Sequence, residues 1–273
     1  MQYVAFILVL LLSPLTRVSA LDRTYPKQGS FASGSAHDLP QGNSTTEFYS
    51  DKIEEPSSLE DSLQHIYHVI GLDKYDLSYE VFKYGMIGYY SLRQQGKLSD
   101  KELLSIIDFT KSSTKKRFYT IDLDKKQVKY HTYVSHGRNT GEDVAKSFSN
   151  TVHSNQSSLG FYITGETYVG SKGYSLKLDG MEKGYNDKLR ERAVVMHPAE
   201  YVSEYWIKKY GRLGRSQGCP ALPPAISKEV IETIKGHTAI FAYYNDEAYL
   251  NASPFLDLDM LETPNTLSAK LTK

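Results

Sequence analysis

Arg117-Phe118-Tyr119-Thr120-Ile121-Asp122-Leu123-Asp124-Lys125-Lys126-Gln127-Val128-Lys129-Tyr130-His131-Thr132-Tyr133-Val134 is the stretch on which the reading of this chain turns. Upstream of it, apolar residues recur every three or four positions. From Phe118 onward, aromatic and β-branched residues stand in short runs on either side of the polar segment 122–127, which predicts a hairpin. More strand-like runs follow at 160–168, 174–178, 193–196 and 238–244, separated by turns rich in Gly, Asn and Asp. Helices are predicted at about 198–210 and at 224–235, where Ile226, Val230, Ile231 and Ile234 mark one face and Gly236 the stop. On the amino-terminal side, Ser57 with Glu60 fits a capping box. Leu59, Leu63, Ile66, Tyr67 and Ile70 fall at helical spacing, as do Phe82, Met86, Tyr89 and Tyr90. A second capping box, Ser99 with Glu102, precedes Leu103, Ile106 and Ile107. The expectation is an α+β chain: a small region of two or three packed helices over 58–112, a mostly β domain with helices on it over 113–247, and a polar, poorly ordered tail over 248–273.

The 273 residues are 40% hydrophobic, enough for a proper core. Thirty-two basic side chains balance 32 acidic ones, so no long-range field draws in nucleic acid or an anionic bilayer, and no nucleic-acid partner is expected. The run from Val4 to Leu12 is apolar, Ser13 and Pro14 break it, and Val18-Ser19-Ala20 offers the small residues a signal peptidase cuts after. Residues 1–20 are therefore expected to be a removed signal peptide, too short to span a hydrocarbon core of ~30 Å. The mature protein is expected to be exported, periplasmic or secreted, with no stable membrane insertion. Residues 21–57, rich in Ser, Gly, Thr, Pro and Asp, are expected to be a flexible leader.

One cysteine excludes an internal disulfide framework and any multi-cysteine metal cluster. Cys219 stands in Gly214-Arg215-Ser216-Gln217-Gly218-Cys219-Pro220, a segment of small and turn residues, whereas an inert buried thiol usually lies in an apolar periodic run. Gly218 allows a sharp bend, and the N–H groups of Gly218 and Cys219 are candidate oxyanion donors. On the loop alone, a nucleophile and a bland thiol are equally supported. His197 tips the balance: it ends the run Ala193-Val194-Val195-Met196 and precedes Pro198, a strand end where a neutral imidazole can take a thiol proton and return it to a leaving amine.

With His197 upstream of Ser216-Gln217-Gly218-Cys219, the chain resembles the YkuD-like L,D-transpeptidases, specifically the murein L,D-transpeptidase catalytic-domain-like branch. Further likeness runs through Ser135-His136-Gly137-Arg138-Asn139, Phe148-Ser149-Asn150, Ser157-Ser158-Leu159-Gly160, Asn186-Asp187 and Gly214-Arg215-Ser216, from about Tyr79 to Tyr244. The resemblance implies a YkuD-like catalytic domain acting on peptidoglycan stem peptides, with Cys219 as nucleophile, His197 as base and then acid, Gly218 and Cys219 as oxyanion donors and Ser216 as an orienting hydroxyl. Two positions depart from the wider family: its histidine between Ser and Gly is Gln217 here, and its arginine two residues after the cysteine is Ala221. Arg215 is the nearest replacement for that cation, with Arg212 second and read as a surface charge. Gln217, Asn186 and His136 complete the expected substrate-binding set, although turn chemistry explains Asn186 and His136 equally well. His65 and His68 stand one helical turn apart without an HExxH pattern or an acidic partner, so neither metal nor cofactor is expected. Transfer to an amine would make a cross-link. Transfer to water would make an L,D-carboxypeptidase or amidase, and loss of activity would leave a cell-wall-binding module.

Overall fold

The computed structural model describes residues 58–258. The signal and leader expected over 1–57, and 259–273 of the expected tail, lie outside the described residues.

Helix α1 (Leu59–Ile70) opens on Ser58, whose hydroxyl accepts the Asp61 N–H, and closes on Gly71 in the left-handed conformation. A 3-10 turn (Leu72–Tyr75) leads to α2 (Tyr79–Gln94), capped by Ser78. The periodic residues Leu63, Ile66, Ile70, Phe82 and Met86 are all buried, the outcome their spacing predicts. These helices share one core with the sheet: Gly88 of α2 is a glycine because a β-carbon there would stand 1.9 Å from the Phe161 ring.

The third expected helical segment is a strand. β1 (Leu103–Asp108) is buried along its whole length, antiparallel to β2 (Phe118–Asp122) and parallel to β8 (Ala239–Tyr243). Leu103, Ile106 and Ile107 fit a helical spacing, but in so short a run the same residues suit a strand, and burial of every position, Ser105 and Asp108 included, selects a central strand of the sheet. The predicted hairpin is β2 with β3 (Gln127–Thr132). The remaining strands are β4 (Gly160–Gly170), β5 (Gly173–Gly180), β6 (Val195–Pro198) and β7 (Ala221–Leu222). The eight form one mixed sheet in the order β3-β2-β1-β8-β4-β5-β6-β7.

α3 (Glu204–Tyr210) starts later than predicted, because Ser203 supplies its cap and residues before it turn back onto β7. α4 (Pro224–Ile234) runs as expected, with Pro at its first turn and Val230, Ile231 and Ile234 buried. The polar tail expected over 248–273 is corrected in its first part. α5 (Glu247–Ala252) forms on the Asp246 cap, Tyr249 and Phe255 are buried, and Phe255 packs edge-on against Phe161. The Tyr249 and Ser253 hydroxyls both donate to the buried Glu182 carboxylate, a tertiary anchor that composition cannot reveal. Among the described residues no helix is long and apolar enough to cross a membrane.

Candidate active site

The outermost two strands bring histidine and cysteine to neighbouring positions. β6 and β7 run parallel with His197 opposite Ala221, so Cys219, two residues before Ala221, enters β7 alongside the end of β6. The sulfur is partly buried and rests on backbone: it accepts the Val195 N–H at 3.4 Å and lies 3.8 Å from the Ala193 carbonyl oxygen, to which the S–H points. The His197 ring is buried, and its Nδ1 stands 2.8 Å from the Pro198 carbonyl oxygen. A carbonyl only accepts, so Nδ1 carries the proton and Nε2 is left with a lone pair. No hydrogen bond joins this ring to the sulfur in the structure.

Burial pushes the Cys219 thiol up, against the Val195 N–H and the positive charges of Arg192 and Lys172. Burial pushes the His197 imidazole down, with Lys172 adding to the effect. The resting pair is therefore a neutral thiol beside a neutral imidazole, and not a preformed thiolate–imidazolium pair.

The cysteine loop is stapled by one hydroxyl. Ser216 Oγ accepts the Gly218 N–H at 3.0 Å and donates to the Cys219 carbonyl at 2.6 Å, which holds residues 216–219 in a tight bend. Gly218 takes φ +119°, and a β-carbon there would lie 2.7 Å from the Gln156 carbonyl oxygen, so both backbone angle and space require glycine. The segment 135–138 runs beside the loop: Ser216 N–H donates to the His136 carbonyl, Arg138 N–H to the Ser216 carbonyl, and Ser135 N–H to the Ala221 carbonyl.

Several expected site residues belong to this framework and not to a substrate surface. His136 is buried, with Nδ1 accepting from Arg117 Nη2 at 2.7 Å and Nε2 donating to the Gly141 carbonyl at 3.2 Å. Burial and the Arg117 charge hold its ring down to about 4. Asn186 is fully buried. Its amide bonds the Glu182 N–H, the Leu159 carbonyl and the Glu182 carboxylate, closing the turn before β6. Arg215 spends Nη1 on the Arg138 and Gly141 carbonyls and on Glu142 Oε1 at 2.6 Å, and Arg212 pairs with the other oxygen of Glu142. Both guanidiniums are thus paired with Glu142, and Arg212 is not a purely solvated charge. The Gly218 N–H is likewise committed to Ser216, which leaves the Cys219 N–H as the amide of the pair without an acceptor in the described structure. Gln217 is exposed beside the cysteine.

Two arginines escaped the sequence reading. Arg117 is fully buried, bonded to the carbonyls of Val134 and Lys111 as well as to His136, and burial lowers its pKa to about 10. Arg192 is half-buried and gathers the 149–158 segment against the cysteine loop. An arginine at the end of a charged run, as in Lys115-Lys116-Arg117 and Arg190-Glu191-Arg192, reads as a surface residue, and no local pattern distinguishes these two. Among the described residues no cluster of three or more His, Cys, Asp or Glu could hold a metal ion.

The model of the L,D-transpeptidase catalytic domain matches residues 73–243. No curated protein matches the chain. Among solved structures, the chain is similar to an L,D-transpeptidase from Mycobacterium smegmatis at 12% identity and a TM-score of 0.34, over 52% of this chain and 59% of that one. It is similar to an L,D-transpeptidase from Stackebrandtia nassauensis at 16% and 0.33, over 55% and 59%. It is also similar to the helical cell shape determining protein Pgp2 from Campylobacter jejuni at 11% and 0.36, over 67% and 61%. The chain thus spans less than two thirds of the length of each of these structures. Because the matched domain takes in well over half of the sequence, including both sides of the β6–β7 pair and the whole cysteine loop, the chain belongs to the L,D-transpeptidase catalytic-domain family.

Proposed function

We propose that this protein is a cysteine acyltransferase acting on peptidoglycan stem peptides outside the cytoplasm, where its first 20 residues direct it. The observation that carries the reading is the parallel β6–β7 register, which sets His197 and the stapled Cys219 loop side by side in a chain of this family.

The chemistry follows from the protonation states. His197 Nε2 takes the thiol proton as Sγ attacks the carbonyl carbon at the L-centre of a diaminopimelate-type residue. Starting from a neutral pair, proton removal and attack are coupled, so base strength at the moment of attack matters more than a standing thiolate. The oxyanion that develops is received by the Cys219 N–H, since the Gly218 N–H is held by Ser216. Collapse breaks the amide bond to D-alanine, whose amine leaves with the proton carried by His197, and the stem remains as a thioester on Cys219. An amine of a second stem attacks that thioester and regenerates the thiol. Ser216 acts by holding the loop that presents the sulfur, and no cofactor or metal is required by this sequence of steps. Gln217, exposed next to the sulfur, is the expected polar contact for the incoming stem.

The test is mass spectrometry of disaccharide-tetrapeptide muropeptides incubated with the protein and with Cys219→Ala. Dimers, or a covalent stem adduct of the protein, support the proposal, and the variant should yield neither. Trimmed tripeptides alone would assign water as acceptor and an L,D-carboxypeptidase. Unchanged muropeptides with no adduct would overturn the acyl-transfer reading in favour of a wall-binding module.

A further inference from the structure

Arg192 is a cation without an anion. Among the described residues no carboxylate lies within ion-pair reach of it, although it is half-buried, where an unpaired charge is costly. Its two terminal nitrogens are nevertheless fully engaged. Nη1 donates to the Ser149 carbonyl at 2.7 Å and to Ser158 Oγ at 2.6 Å, and Nη2 to Ser154 Oγ at 3.2 Å and to the Gln156 carbonyl at 2.5 Å. With all four terminal N–H groups directed at neutral oxygens, the guanidinium cannot also grip a substrate carboxylate in a fork. What it retains is charge.

That charge is fixed next to the cysteine. Nη2 lies 3.3 Å from where a β-carbon on Gly218 would stand, and the residue after Arg192 presents the carbonyl that the sulfur touches. Ala193 makes this possible by adopting φ +51°, a left-handed turn unusual for a residue with a β-carbon, which sends the Arg192 side chain toward 149–158 while the Val195 N–H meets the sulfur. The ionisable groups around the sulfur are Arg192 on this turn, Lys172 at the β4–β5 turn, His197 on β6 and Tyr201 in the following loop. Of these, Arg192 is the only one anchored by four hydrogen bonds.

We infer that Arg192 is a positioning residue for Cys219: the positive charge of its guanidinium is the counter-charge that stabilises the anionic sulfur formed during attack. This rests on Cys219 being the nucleophile, but its test does not need the peptidoglycan reaction.

The pH dependence of Cys219 alkylation by iodoacetamide measures the thiolate fraction directly, in the full chain and without substrate. Arg192→Gln should lower that fraction about tenfold near neutral pH, one unit in the midpoint, whereas Arg192→Lys should stay within about twofold of the parent. Equal fractions in all three proteins, or an equal fall in both variants, would overturn the inference and leave Arg192 as a structural clamp. If Arg192→Gln does not fold, the double variant Ser154→Ala/Ser158→Ala decides, because it strips two anchors and keeps the charge. An unchanged thiolate fraction there supports the counter-charge, and a tenfold fall refutes it. A chain inert toward muropeptides that still shows the Arg192→Gln shift would separate failure of the proposed function from failure of this inference.

Discussion

Replacing His136 by asparagine is expected to flatten the acid side of the stability curve. In the fold this ring is sealed beside the cysteine loop between Arg117 and the Gly141 carbonyl, and burial, reinforced by the Arg117 charge, holds its pKa at about 4 against an ordinary 6.5. Below pH about 6.5 the unfolded chain binds a proton that the folded chain refuses. Stability contributed by the neutral ring is therefore present above that pH and is lost as pH falls, until the folded ring protonates near pH 4. At 1.36 kcal/mol per unit the whole window is worth roughly 3 kcal/mol, and about 2 kcal/mol of it is spent by pH 5, before most carboxylates titrate. Asparagine keeps an acceptor for Arg117 and does not titrate. Urea denaturation of parent and variant at about pH 7.5 and pH 5 should show the parent losing about 2 kcal/mol more than His136→Asn. His131 and His197, also pushed down by burial, contribute equally to both proteins and cancel in the difference. Losses that agree within about 0.5 kcal/mol, the scale of the extrapolation error, would refute a buried neutral imidazole at this position.

Gly88→Ala sets two effects against each other. The helix interior gains about 1 kcal/mol of propensity, but the new methyl meets the Phe161 ring, which is locked by stacking on Phe241 at 4.3 Å, and overpacking costs about 1–3 kcal/mol. Chemical denaturation should show a net loss of up to about 2 kcal/mol, and a stabilised variant would mean that the ring can move. Gly218→Ala combines a positive φ with a β-carbon against the Gln156 carbonyl, so a loss of about 2 kcal/mol or more is expected, together with a changed alkylation rate at Cys219. Parent-like values for both would show that the loop is not held as described. Because burial pushes the thiol up, the alkylation midpoint of the unmodified protein should lie above the ordinary cysteine value of about 8.5. A midpoint below neutrality would instead reveal a standing thiolate.

Much of the framework was legible because its signals are local. The apolar spacing of α1 and α2, the 122–127 break between β2 and β3, and the apolar face of α4 each depend on residues a few positions apart, whereas the cap of α1 falls on Ser58, one residue past the expected Ser57. The small-residue loop around Cys219 and the strand-ending His197 are local too, which is why the sulfur and its neighbour could be named before any coordinates. β1 is the complementary case: a short, mostly apolar run takes its identity from the strands it pairs with, here β2 on one side and β8, more than 130 residues away, on the other.

The amino-acid sequence by itself determined the α+β class, the β2–β3 hairpin and the family pattern, since periodicity and motif spacing act over short stretches of chain. Tertiary structure alone decided what the polar residues do. Arg192 finds Ser149, Arg117 finds His136, Asn186 finds Leu159 and Arg215 finds Glu142, each partner 19 to 73 positions away. A buried hydrogen bond costs little only when donor and acceptor arrive together, so whether such a side chain braces the fold or faces a substrate is settled by which distant segment the fold lays beside it.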